Sequence, residues 1–432
     1  MIPVLLRRDQ VTFFPCVQQS SSILRTMSRV IPKPFGRHWL PIGVFVMYTA
    51  LNMLDRQLLA AVAPTLREEF HFSNAQYGQV LSVFFAMTML ASPLAGWFID
   101  RVGLTLGASV SIAIWSIAGT MTGFVNSLRG LMACRFGLGL GEAGGSATPG
   151  AVLARYMDSG ELGVGAAVLA LGTSLGAIAA PLVAAAGVPR YGWRSMFIGT
   201  GVLGFIWIPL WLATARSAPP RFVPREGEDM SIPHLLRDRR YWGIVAAYAL
   251  SRQTLWVSWT TLYFVEERGL TMAEANQRYS WYPSAFGAVG AFAVGALTMW
   301  WVRRGVPGLR ARVRACWATA PLLLTTAAVP FLPVVQLAAF AVGLSFLGGV
   351  CVWTSVHLMP IDLFGVRRSA FAYAWLEGFY LATQAVISPA IGAAVDRFGF
   401  TGVCVAMPLL PIAGLLASQA SVIEQPGTVD VQ

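Results

Sequence analysis

Charge is what this chain lacks. Of its 432 residues only 12% are Asp, Glu, Lys or Arg, while 56% are hydrophobic. Soluble globular domains carry about a quarter charged residues, so an ordinary soluble fold is excluded. Cysteine is scarce too. Cys16, Cys134, Cys316, Cys351 and Cys404 are scattered with no C-x-x-C pair, so neither a metal site nor a disulfide framework is expected. The chain contains no G-x-x-x-x-G-K-[ST] and no H-E-x-x-H. Those absences argue against a phosphate loop and a zinc protease. An enzyme, ATP-driven transport and a bound cofactor are therefore not expected. The first 37 residues hold no apolar h-region with a cleavage site, so no secretory signal peptide is read there.

What is present is long apolar sequence. Several runs exceed the roughly 20 residues that cross a bilayer as a helix. A transmembrane barrel would show weak alternation instead. The expected fold class is an all-α polytopic membrane protein with twelve transmembrane helices in two pseudo-symmetric halves of six. The spans are placed at 39–63, 76–98, 104–125, 129–155, 161–187, 194–215, 242–265, 279–302, 312–332, 335–360, 368–394 and 400–420.

Net charge is +11. A basic balance can signal nucleic acid, but here the basic residues sit in short connections between apolar spans, so no nucleic-acid partner is expected. With the amino terminus inside, 21 of the 31 Lys and Arg fall in cytoplasmic segments and seven in outer ones. Arg56, Arg135 and Arg252 lie within spans. That bias predicts both termini in the cytoplasm.

The domain reading follows. Residues 1–37 form a cytoplasmic segment, with translation expected to begin at Met27 and 1–26 outside the product. Residues 38–215 and 242–420 are the two six-helix halves, and 421–432 is a tail. The Pro-rich, charged stretch 216–241 links them. The halves echo each other: Pro181 precedes PRYGW at 189–193, and Pro389 precedes DRFGF at 396–400. Internal repeats of this kind are found in two-fold transporter folds.

Three acids lie inside spans: Asp55, Glu142 and Glu377. Charged groups in the bilayer are costly and face a bundle interior or a water-filled cavity. Arg135 and Glu142 stand seven apart on one helix, so they face one way, two turns apart. The glycines around them (137, 139, 141, 144 and 145) allow close helix packing. Asp55 and Arg56 are adjacent and point about 100° apart, so each needs a partner on another helix or in water. If the first and fourth helices share a cavity, two acids and two bases converge there. Protonating an acid would then free an arginine to hold an anion, which is proton–anion coupling by linkage.

These residues resemble the major facilitator superfamily, and within it the anion:cation symporter branch that includes hexuronate and galactonate transporters. The resemblance runs from about 38 to 420. NMLDRQ at 52–57 is similar to that branch's first-helix pattern, and GWFIDRVG at 96–103 to the superfamily's G-x-x-x-D-R-x-G. RFGLGLGEA at 135–143 and WTTLYFVEERGL at 259–270 are similar to its fourth- and seventh-helix patterns.

The resemblance implies proton-coupling roles for Asp55 and Glu142, and a substrate-carboxylate role for Arg56. It implies that Arg135 pairs with the fourth-helix acid. Gly96, Asp100, Arg101 and Gly103 become the conformational gate. Met53, Thr88 and Thr173 depart from the sugar-acid pattern, which has Tyr, Tyr and Gln there, so fewer groups remain for a polyol chain. Thr88 and Thr173 stay among the expected substrate contacts, with Trp259 and Tyr263.

The aromatic carboxy-terminal half (Trp256, Trp259, Tyr263, Trp281, Tyr282, Trp353, Trp375, Tyr380) reads first as packing, and otherwise as cavity walls for a less polar carboxylate. Glu377 is either a helix–helix hydrogen bond or a substrate or cation site. His357 reads as structural, and Arg252 as snorkelling or touching substrate.

The expected function is proton-coupled uptake of a small organic anion by a monomer in a bacterial inner membrane. Partners are the anion, a proton or sodium, and the lipid bilayer. A proton-exchange exporter and a sodium symporter are the alternatives. A membrane sensor is the reading from a different class.

Overall fold

The computed structural model describes residues 36–145, 148–158, 161–217, 232–251 and 255–422, with the backbone alone at 217, 232–234, 365–371 and 422. Among the described residues all regular structure is helical. The amino-terminal half comprises α1 (Trp39–Phe70), α2 (Asn74–Val102), α3 (Leu104–Thr122), α4 (Leu128–Glu142), α5 (Thr148–Tyr156) and α6 (Leu162–Ser217). The carboxy-terminal half comprises α7 (Ile232–Arg237), α8 (Arg239–Ser251), α9 (Leu255–Ser258), α10 (Thr260–Glu266), α11 (Met272–Arg278), α12 (Tyr282–Arg303), α13 (Gly308–Leu323), α14 (Thr325–Ala328), α15 (Val335–Ala406) and α16 (Leu409–Val422). The end of the expected linker is thus helical, and 218–231 of it lie outside the described residues, as do Arg252 and residues 1–35.

Two helices are too long to be single crossings. α6 holds 56 residues and α15 holds 72. At 1.5 Å per residue these would run about 84 and 108 Å, against a hydrocarbon core of about 30 Å. Each contains a glycine at which the backbone leaves helical geometry. Gly192 takes φ 75° and Gly399 takes φ 69°, backbone that a Cβ disfavours. These are the glycines of PRYGW and DRFGF, so the repeat seen in sequence is one turn used twice. Gly103 and Gly305, both at φ 84°, close the second and eighth expected spans in the same way.

Elsewhere the expected spans are interrupted rather than smooth. The fourth breaks at a 3-10 turn over Ala143–Gly145, where consecutive glycines weaken the helix. Within the seventh, a bend at Trp259 parts α9 from α10. α2 begins on a capping box: the Gln76 amide donates to Ser73 Oγ, and the Ser73 amide to Gln76 Oε1.

Six of the helical stretches are long and apolar enough to cross a membrane by length and composition. Large apolar side chains such as Leu90, Leu94, Val289, Phe292 and Val386 stand exposed on their outer surfaces. A belt of that kind suits lipid and not water.

Among the described residues, three large cores and a small one at Val294, Ala315 and Cys351 hold the bundle. One lies within the amino-terminal half, where Phe45, Tyr48, Trp115, Trp207 and Trp211 pack ring against ring. A second lies within the carboxy-terminal half around Tyr241, Tyr248, Val356 and Leu376. The third joins the halves, bringing Leu58, Leu66, Tyr77 and Phe197 against Trp256, Trp259, Tyr263 and Phe400.

That joint occupies one end of the molecule, called here the closed end. Arg67 of α1 is ion-paired with Glu266 of α10. Asp396 of α15 caps α2, accepting from the amides of Asn74 at 3.0 Å and Ala75 at 2.8 Å. Tyr77 donates to the Ser258 carbonyl at 2.9 Å, and Asn276 to the Ala61 carbonyl at 2.8 Å. The opposite end is where α1 begins and α2 finishes.

Beyond the expected first span, Glu69 accepts from Trp193 Nε1 at 2.7 Å and from Arg194 at 2.6 Å. The guanidinium holds its carboxyl below the usual carboxylate range. A depressed pKa contributes stability above the unfolded value and loses it as pH falls through the folded one. The pair is over a third exposed, so the effect is small. Glu69→Gln should lower the melting temperature slightly at pH 7 and leave it equal to wild type in strong acid, which a pH series of thermal unfolding checks.

Candidate solute cavity

Between the halves lies a cavity of about 410 Å³. Its amino-terminal wall carries Met53, Arg56 and Gln57 from α1, Phe84 and Phe85 from α2, Arg135 from α4, and Thr173 and Ser174 from α6. The facing wall comes from α9, α12 and α15. Three close approaches bring α4 into place. A Cβ on Gly139 would meet the Phe84 carbonyl at 2.7 Å, one on Gly141 the Trp115 nitrogen at 2.5 Å, and one on Gly144 the Ser111 Oγ at 2.1 Å. The glycine-rich stretch therefore presses the helix that carries Arg135 and Glu142 onto α2 and α3.

The four expected charges do converge, but not in the expected pairs. Arg56 Nε donates to Glu142 Oε2. The Glu142 side chain is fully buried, while that of Arg56 remains 28% exposed to the cavity. Arg135, expected to partner Glu142, instead reaches Thr122 Oγ1 at 3.5 Å and lies 5.5 Å from the Phe197 ring centre. The reason is helical geometry. Seven residues rise about 10.5 Å, so two side chains on one face can influence each other through space but meet only with difficulty. The neighbouring helix supplies the cation that fits.

Asp55 is buried at 2% exposure with no cation bonded to either carboxylate oxygen; the Thr200 hydroxyl is the hydrogen-bonding group beside it. Arg135 and Glu142 are the charges that act on it. An unpaired buried charge is costly, and a proton on Asp55 removes that cost. One acid of the cluster is thus held by a cation and the other is not.

The remaining predicted residues divide. Thr173 lines the cavity. Thr88 is buried beside it, with its hydroxyl committed to the Phe84 carbonyl at 2.8 Å. Trp259 and Tyr263 do not line the cavity. They are fully buried in the closed-end core, Trp259 against Tyr77 at 4.9 Å and Tyr263 against Phe400 at 5.6 Å. Their helix, α10, belongs to the joint between the halves, which the motif could not reveal. Glu377 lies behind the wall and accepts from Tyr248 at 2.6 Å. His357 Nδ1 is 3.3 Å from the same hydroxyl, and its ring stacks on Tyr373. The hydrogen-bonded reading of Glu377 and the structural reading of His357 fit this arrangement.

Sequence reasoning missed Phe84, Phe85 and Phe346 as cavity residues, and Tyr248 as the partner of Glu377. The FF pair at 84–85 and Gln57, next to the Asp-Arg pair, were the available signals. Gly96, Asp100, Arg101 and Gly103 lie at the end opposite the closed joint, with Arg101 over the Trp97 ring at 4.6 Å.

A helical bundle with a lipid-facing belt, two repeated halves and a charged cavity between them defines a membrane transporter and not an enzyme. The chain belongs to the Major Facilitator Superfamily, which it matches over residues 45–377. It is 24% identical to the hexuronate transporter of Escherichia coli (strain K12), over 88% of this chain and 93% of that one. It is 26% identical to the galacturonate transporter of Dickeya chrysanthemi, over 61% and 82%. It is 25% identical to a probable sulfoacetate transporter of Cupriavidus necator, over 85% and 88%. Among solved structures, a bacterial homolog of the human lysosomal transporter Spinster, inward-facing and occupied, shares the fold with a TM-score of 0.71. That match has 16% identity and covers 88% of this chain and 96% of the other.

Proposed function

We propose that this transporter takes up a small organic anion, a carboxylate, together with protons and by alternating access. The observation that carries this reading is the Arg56–Glu142 pair on the cavity wall, one residue from Asp55, to which no cation is bonded. Arg56 is the only member of that pair with access to the cavity. A substrate carboxylate competes with Glu142 for its guanidinium, and a proton on Glu142 releases the guanidinium to the substrate. Proton and anion binding then favour each other by linkage. Asp55 holds a second proton-binding position within the same cluster. Arg135 sets the field around both acids without leaving its buried place.

The basic connections support a reading with both termini in the cytoplasm and the chain in a bacterial inner membrane. The closed end is then the outer one, and the cavity is reached from inside. Opening the joint made by Arg67–Glu266 and the Asp396 cap, while closing the gate at Gly96, Asp100, Arg101 and Gly103, would expose the same cavity outward. The protein works as a monomer, because one chain supplies both cavity walls. The hexuronate, galacturonate and sulfoacetate transporters to which it is similar all carry anionic substrates in their names, which supports the anion reading.

The test uses the purified protein in liposomes holding an internal pH dye, under an outward-acidic gradient, with organic acids added outside. The expected result is substrate-dependent acidification of the lumen. Asp55→Asn should abolish accumulation and leave exchange of labelled for unlabelled substrate. Substrate uptake without acidification would remove the proton role and direct attention to sodium.

A further inference from the structure

We infer that the preferred anion has a flat apolar body, and that polyhydroxylated anions fit poorly; this deepens, and rests on, the reading of the cavity as an anion site. Among the described residues, the charged and amide groups of the cavity, Arg56, Arg135 and Gln57, stand on the amino-terminal half, with Thr173 and Ser174 on the same wall. The described residues of the facing wall include no charged and no amide side chain. Its surface is Ala288, Ala291, Phe346, Val350, Trp353 and Tyr380, with Ser258 and Ser284 as small hydroxyls at its edge.

Rings connect the two sides. The Arg56 guanidinium lies 5.1 Å from the Phe84 ring centre. Phe84 meets Phe85 edge to face at 5.4 Å, and Phe85 meets Tyr380 of the other half at 6.5 Å. A carboxylate held by Arg56 therefore directs the rest of its ligand along a line of aromatic side chains. Aromatic groups favour such edge-to-face surroundings. A polyol entering the same space loses water from each hydroxyl and finds few partners. Pockets of this kind reject even one added hydroxyl about 100-fold. Of the eight aromatic residues read from sequence as packing or as cavity walls, Trp353 and Tyr380 line the cavity, while Trp256, Trp259 and Tyr263 do not. Those three seal the closed end instead, and Phe84, Phe85 and Phe346 join Trp353 and Tyr380 at the cavity.

The full-length protein in lipid nanodiscs is titrated calorimetrically with benzoate, cyclohexanecarboxylate, benzamide and D-galacturonate. Benzoate should bind about 100-fold more tightly than galacturonate, with cyclohexanecarboxylate between them. Phe346→Ala should weaken benzoate and leave galacturonate unchanged. Ala291→Asn, which adds an amide to the bare wall without removing a ring, should narrow the ratio by about tenfold. Galacturonate binding as tightly as benzoate, or more so, overturns the inference and leaves the anion reading standing. Benzamide binding as well as benzoate sinks the anion reading and leaves the apolar body. Binding of none of the four by a sample that keeps its thermal unfolding transition overturns the inference as well.

Discussion

Arg56→Ala is expected to abolish anion binding and to lower stability by about 3–5 kcal/mol, the usual cost of breaking one side of a buried ion pair. Both effects come from one contact. Arg56 is the partner of Glu142, whose side chain is fully buried. Removing the guanidinium leaves a carboxylate in the bundle with no cation bonded to it. Arg135 acts on Glu142 through space but shares no hydrogen bond with it. The stability loss should shrink toward acid pH, where a proton can take the guanidinium's place.

The double variant separates the roles. Arg56→Ala with Glu142→Gln removes the stranded charge and should recover most of the stability, because neutral replacement of a buried pair is often tolerated. It should not recover binding, because no cation faces the cavity from α1. Thermal unfolding and calorimetric titration on the same detergent-purified samples measure both. Unchanged anion uptake in Arg56→Ala would refute the assignment.

Gly392→Val and Gly78→Val are expected to hold the closed end apart. α2 and α15 cross there with backbone against backbone. A Cβ on Gly78 would meet the Ser388 carbonyl oxygen at 2.3 Å, and one on Gly392 the Asn74 carbonyl oxygen at 2.1 Å. Neither obstacle is a flexible side chain, so the helices must separate. The same crossing carries the Asp396 cap on the Asn74 and Ala75 amides, and separation breaks it. Overpacking costs about 1–3 kcal/mol. Because 1.4 kcal/mol is tenfold, the ratio of the two conformers should shift by roughly 5–150-fold away from this state.

Spin labels at His71→Cys and Phe398→Cys, both exposed near that end, report it directly in a background without the native cysteines. The distance distribution should move to longer values in either valine variant, with transport falling in step. An unchanged distribution would show that the two helices accommodate the side chain by another movement.

Much of the architecture was legible because bilayer burial imposes a simple code. Apolar runs too long for a soluble fold, basic residues gathered in alternate connections, and PRYGW echoed by DRFGF were enough for a two-fold helical transporter. The repeated glycines at 192 and 399 confirm the echo with the same backbone turn. Spacing along one helix predicts a shared face for Arg135 and Glu142. It could not name their partners, because a partner is chosen by the helix that packs alongside.

Sequence by itself therefore determined the class of protein, the number of chemical players near the cavity, and the cost that forces them away from lipid. Tertiary structure alone decided who meets whom. Glu142 takes Arg56 because α1 and α4 are brought together by packing, whereas Arg135 stands two turns along its own helix. Trp259 and Tyr263 serve the joint between halves and Phe346 serves the cavity, because an aromatic side chain has the same apolar surface in either place and only the meeting of distant helices assigns it.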